Sequence, residues 1–158
     1  MGHEFLDGES VLAFDLETTG ISTNTDRIVQ IALIGSNSTG DTVHYETLIN
    51  PRRPIPPGAS GVHGIFDSDV KGEQDFRHHA DEIHRLIENS VVVGHNIRKF
   101  DMPLLENEFR RIGRLPPKPK AMMDTLEIVR RVKLGRPHNL GSLCRRHGIS
   151  LENAHTAA

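Results

Sequence analysis

The chain has 158 residues, 36% of them hydrophobic and 25% charged, with a formal net charge of −2. That is the size of one domain with a real core, and the apolar fraction argues against a disordered chain. Its longest apolar runs, such as Val91-Val92-Val93, fall far short of the roughly 20 residues that cross a bilayer.

The opening ten residues are acidic and lack the apolar segment of a secretory signal. The single cysteine, Cys144, permits neither an internal disulfide nor a multi-cysteine zinc site. A reducing cytoplasm without membrane attachment is the expected location. Charge is unevenly spread: residues 1–97 hold 6 basic and 15 acidic side chains, whereas 98–147 hold 13 and 5. An acidic centre with a basic face suits metal-dependent chemistry on phosphates, but on charge alone a solvated dipolar surface is the preferred reading.

Taken in order, residues 10–16 (Ser-Val-Leu-Ala-Phe-Asp-Leu) predict a strand, apolar on both faces and therefore central. Residues 27–34 and 42–49 predict two more, joined by the polar turn 36–41 into an antiparallel hairpin. The proline-rich stretch 51–58 predicts a non-helical connection. Phe76, Ala80, Ile83 and Ile87 stand at i, i+4, i+7 and i+11, the apolar stripe of a helix. Its other face carries His78, His79 and His84, which lack the HExxH spacing of a zinc protease and read as solvated.

Val91-Val92-Val93 predicts a short buried strand ended by Gly94. Pro103 suits a helix's first turn, with Leu105, Phe109 and Ile112 facing inward and Gly113 stopping it. A proline loop over 115–119 leads to a strand at 121–123, and Asp124 caps a helix reaching about Val132. Leu140, Leu143 and Cys144 mark a short helix with the cysteine on its apolar side, and Asn153 starts another. Three strands, helix, strand, helix, strand and helices predict an α/β fold: a mixed sheet flanked by helices.

Three segments carry chemistry. In Phe14-Asp15-Leu16-Glu17-Thr18-Thr19-Gly20, strand alternation puts Asp15 and Glu17 on one face. Two such carboxylates about 4 Å apart repel by roughly 4 kcal/mol at an effective dielectric near 20. Either water or a cation between them must relieve that. Asp101, in Gly94-His-Asn-Ile-Arg-Lys-Phe-Asp-Met-Pro-Leu-Leu105, reads alone as a helix N-cap. His155, in Asn153-Ala-His-Thr-Ala, reads alone as a surface histidine.

Together, and in this order, the segments resemble the DEDDh (DnaQ-like) 3′→5′ exonucleases, which include the proofreading epsilon subunit of DNA polymerase III, RNase T and the Trex enzymes. Secondary matches extend from Pro54-Ile-Pro-Pro-Gly through Val62-His63-Gly64-Ile65 and Asp124-Thr125 to His138-Asn139-Leu140-Gly141-Ser142-Leu143. The resemblance implies a ribonuclease-H-like, five-stranded sheet and one exonuclease domain over 1–158. Asp15, Glu17 and Asp101 would hold two Mg²⁺ or Mn²⁺ ions, and His155 would act as general base. Thr18, Thr19, Gly20 and Ile21, with His63 and Asn96, would contact the substrate, Ile21 as a wedge beside the terminal base. Arg110, Arg111, Arg114, Lys118 and Arg136 are candidate phosphate contacts.

The substrate implied is an unpaired 3′ end of DNA or RNA, with a DNA polymerase subunit or a second copy of the chain as candidate partners. Two departures stand out. The step from Asn96 to Asp101 is five residues, where the epsilon-like pattern has four. The family's last aspartate would fall two residues beyond Ala158, so the domain is read as cut short there. The expectation is weak metal binding and little activity in this form, and a catalytically silent module that binds nucleic-acid ends is the alternative.

Overall fold

In the computed structural model, residues 8–132 are described; the expectations for Arg136, Leu140, Leu143, Cys144, Asn153 and His155 fall outside them. Eight residues of alternating burial, Val11–Thr18, form strand β1. β2 (Ile28–Ser36) and β3 (Thr42–Leu48) follow as the antiparallel hairpin the polar turn predicts. β4 (Val91–Gly94) and β5 (Ala121–Asp124) add in parallel on the other side of β1, giving the order β3-β2-β1-β4-β5. This is the mixed five-stranded ribonuclease-H-like sheet.

One sheet face is buried by α3 (Phe76–Ile87) and α4 (Met102–Arg111). Phe76, Ala80, Ile83 and Ile87 all enter that core, where the Phe76 and Phe109 rings meet edge to face at 5.0 Å. The opposite face is covered at its β2 end by α1 (Pro57–His63) and α2 (Asp67–Val70), around Val29, Ile55, Ile65 and Val70. A fifth helix, α5 (Thr125–Val132), follows β5 directly. Among the described residues no helix is long and apolar enough to cross a membrane.

Four expectations change. β1 is central but not apolar on both faces: Leu12, Phe14 and Leu16 are buried, whereas Ala13 is exposed. The proline stretch stays non-helical only to Pro56, because Pro57 at the first helical position lacks no bond it needs and starts α1. The histidine face of α3 is not wholly solvated. His79 Nδ1 hydrogen-bonds Tyr45 Oη at 2.6 Å, and His84 lies edge-on to Phe109. Asp101 is no N-cap: its backbone is helical and its side chain makes no capping bond.

One buried acid escaped the sequence reading. Glu108, 1% exposed, accepts from Arg27 Nε at 2.8 Å and from the Ile28 amide at 3.0 Å, with Arg111 beside it. It ties α4 to the start of β2. Glu108→Ala leaves three donors, Arg27 Nε, the Ile28 amide and Arg111 Nη1, without this acceptor, so the urea midpoint should fall by the equivalent of about 3 kcal/mol, as for other broken buried pairs. A loss below about 1 kcal/mol would place this contact with surface ion pairs instead.

Candidate active site

β4 pairs with β1 only over Val11–Ala13, so β1 runs on beyond it. The carboxyl ends of the parallel strands are the usual ligand position in such sheets. Asp15 and Glu17 stand there on the face opposite Leu16. Opposite Glu17 and Thr18, β2 carries one extra residue, a bulge that sharpens the strand end.

Asp101 reaches this end of β1 from the segment that follows β4. After Gly94 the chain turns through Asn96, in the left-handed region at φ 58°, into a π-helical turn, Ile97–Asp101. That turn, wider than an α-helical one, spans the five-residue step from Asn96 to Asp101. Asp101 Oδ2 accepts the Leu16 amide at 3.1 Å, beyond the stretch where β4 pairs with β1. Asp101 is 5% exposed.

The electrostatics follow from this placement. Burial, and after it the Glu17 carboxylate, pushes Asp15 up to about 7. Burial, and after it Asp15, pushes Asp101 up to about 8. Burial also raises Glu17, and nearby His63 opposes that rise. Among the described residues no lysine or arginine side chain hydrogen-bonds any of the three, and His63 is the basic group that acts on Glu17. The donor set of the three acids is all carboxylate oxygen, the chemistry that hard divalent cations take. Among the described residues no group of three or more histidine, cysteine, aspartate or glutamate side chains is arranged to hold a metal ion.

The segment after Glu17 is fixed by Asp26. Its carboxylate accepts from Thr19 Oγ1 at 2.8 Å and from the Ser22 amide at 2.8 Å. A side chain at position 20 would collide with it, since a Cβ on Gly20 would lie 2.5 Å from Asp26 Oδ2. Thr18 Oγ1 bonds the Gly20 carbonyl, so both threonine hydroxyls serve the loop. Ile21 at its tip is 92% exposed, an apolar side chain that no core claims.

His63 is a latch. Its Nδ1 accepts the Ile65 amide at 3.1 Å, which leaves Nε2 to donate to the Thr18 carbonyl at 3.0 Å. Asn96 contributes backbone alone: its amide donates to Asp124 Oδ1 at 2.9 Å. Three of the candidate phosphate contacts have internal partners. Arg110 bonds Asn107, Arg111 bonds Glu108 and the Asn24 carbonyl, and Arg114 bonds Asp81. Lys118 has no side-chain partner among the described residues. Asp26 and Asp124 escaped the sequence reading as organisers because no periodicity marks their contacts with Thr19 and Ser22 or with Asn96 and Arg98.

Comparison with known proteins decides the family: the RNase T model, described as an exonuclease, matches residues 12–158. The chain belongs to the RNase T exonuclease family. The DNA polymerase III subunit epsilon of Treponema pallidum is 32% identical over 148 residues, covering 92% of this chain and 68% of that protein. A PolC-type DNA polymerase III of Streptococcus suis is 30% identical over 96% of this exonuclease chain, and the 3′-5′ exonuclease DinG of Staphylococcus epidermidis is 34% identical over 90%. The chain spans only 10% and 16% of those two longer proteins. Escherichia coli exonuclease I, solved with a dT13 oligonucleotide, superposes with a TM-score of 0.73 at 23% identity, covering 93% of this chain and 37% of that one. At that identity the likeness concerns the fold.

Proposed function

We propose that this exonuclease-family domain removes nucleotides from an unpaired 3′ end, releasing nucleoside 5′-monophosphates. The observation that carries the reading is the Asp101–Leu16 contact, which sets an acid from the π turn beside Asp15 where β1 ends. Asp15, Glu17 and Asp101 are the residues that would hold Mg²⁺ or Mn²⁺. Two such ions, when bound, neutralise the phosphate and ease ionisation of the attacking water.

The chain's own residues divide the remaining work. His155 takes the water's proton, as a histidine ionising near neutrality can. The loop over Thr18–Ile21, braced by Asp26, receives the terminal nucleotide, and Ile21 packs against its base. The nucleic-acid substrate is supported by the dT13 complex of the structural neighbour, and a polymerase partner by the Treponema epsilon relative. Cytoplasmic location accords with both.

Ile21→Ala removes an exposed group, so melting should be unchanged while KM rises about tenfold, the effect of losing about 1.4 kcal/mol of apolar contact. An unchanged KM would remove Ile21 from the substrate surface. The function itself is tested with single-stranded DNA and RNA carrying label at one end or the other, in Mn²⁺ with and without chelator. A 3′ label should leave first as a mononucleotide, and a 5′ label should mark a shortening ladder. Degradation from the 5′ end, or activity that survives the chelator, would overturn the proposal. Binding of 3′ ends without hydrolysis would replace it with the silent-module reading.

A further inference from the structure

Asp124 ends β5 opposite Gly94 of β4 and is 3% exposed. Its sequence position accounts for one contact: Oδ1 accepts the Leu126 amide at 3.0 Å and so caps α5. Its reach goes further. Oδ1 also accepts the Asn96 amide at 2.9 Å, and Oδ2 accepts the Arg98 amide at 3.0 Å. Burial raises this carboxyl, but the backbone amides of Arg98, Asn96, Leu126 and Glu127 outweigh that and hold it below the usual aspartate value. It is therefore an ionised buried acceptor satisfied by backbone.

The two amides gripped from the loop flank Ile97, the first residue of the π turn. Ile97 in turn accepts the Met102 amide through its carbonyl, which brackets Asp101. Asn96 holds a left-handed conformation, uncommon for a non-glycine residue and kept here by its surroundings. Enforcement comes from both sides. Asp124 pulls on the Asn96 and Arg98 amides, and the loop lies so close to β1 that a Cβ on Gly94 would sit 2.6 Å from the Phe14 carbonyl.

We propose that Asp124 is a positioning residue: its carboxylate fixes the register of the π turn and thereby holds Asp101 against the Leu16 amide beside Asp15. The proposal rests on the exonuclease reading only for what Asp101 then does. Without the grip, Asn96 relaxes toward ordinary backbone and Asp101 loses its reach to Leu16.

Two variants separate this from simple capping. Asp124→Ser keeps a good N-cap for α5, but one short hydroxyl cannot serve the Asn96 and Arg98 amides as well. Asp124→Asn keeps the volume and in either orientation sets an NH₂ against at least one of the three amides. The readouts are the Leu16 amide in ¹H–¹⁵N spectra of the metal-free 158-residue chain and its Mn²⁺ affinity by titration. In Asp124→Ser the Leu16 amide should shift upfield and exchange faster. The Mn²⁺ Kd should rise about tenfold or more, as when other outer supports of metal ligands are removed. An unmoved Leu16 amide in folded Asp124→Ser overturns the proposal. If that variant loses its cooperative melt, Asp124→Asn decides by the same amide: displacement supports the proposal and constancy overturns it. A wild-type chain that binds no Mn²⁺ would count against the exonuclease reading, while the Leu16 resonance would still judge Asp124.

Discussion

Replacing Asp15 by alanine is expected to lower hydrolysis at a labelled 3′ end by at least about a thousandfold, the scale of losing one preorganised charged group from an active site. The fold should survive. Asp15 sits at the end of β1 on the face away from Leu12, Phe14 and Leu16, so no core contact goes with it. Removing it should even raise the melting temperature slightly above neutral pH. Its carboxyl is held up near 7 by burial and then by Glu17, and it is itself the second cause that pushes Asp101 to about 8. An unliganded cluster of this kind destabilises the domain that carries it, the usual relation between a functional site and stability. Single-turnover assays on the oligonucleotide, paired with thermal melts at matched pH, check both halves. Activity within about tenfold of wild type would show that Asp15 lies outside the reacting site.

Much of this arrangement is legible in the amino-acid order, for identifiable reasons. The stripe Phe76, Ala80, Ile83, Ile87 repeats at the helical period, and every member reaches the core. The hairpin announces itself through a polar turn between two apolar strands, and the Asp15/Glu17 pair through strand alternation. What stayed hidden depends on contacts between distant segments. Nothing local to Glu108 says that its carboxylate meets Arg27 and the Ile28 amide eighty residues away. Histidine spacing on α3 cannot show that Tyr45 of an edge strand will meet His79. The one-residue excess between Asn96 and Asp101 was visible, but only backbone geometry shows it taken up as a π turn that leaves Asp101 in reach of Leu16. Local pattern predicts elements, whereas the buried polar contacts that align them are set by tertiary approach.

The metal-free domain should lose stability as pH rises, and divalent cation should reverse the trend. An unfolded aspartate ionises near 3.8, whereas Asp15 and Asp101 in the folded chain ionise near 7 and 8. Between those values the folded chain binds more protons than the unfolded one, so the stability these groups contribute is complete below about pH 4 and disappears as pH climbs through 7 and 8. Glu17, raised as well, adds in the same direction. Asp124 is shifted the opposite way; its contribution is present above the ordinary aspartate value and fails only in stronger acid, outside this window. In chelator the melting temperature should therefore fall by about 5 °C or more between about pH 5.5 and about pH 8.5. Because binding a cation requires these carboxyls to be ionised, the apparent Mn²⁺ affinity should climb on the order of a hundredfold between about pH 6 and about pH 8. Asp101→Asn deletes the carboxyl with the higher value and should flatten both curves. A melting temperature that does not change with pH in chelator, alongside a pH-independent Mn²⁺ affinity, would mean that these acids are neither buried together nor the residues that receive the cation.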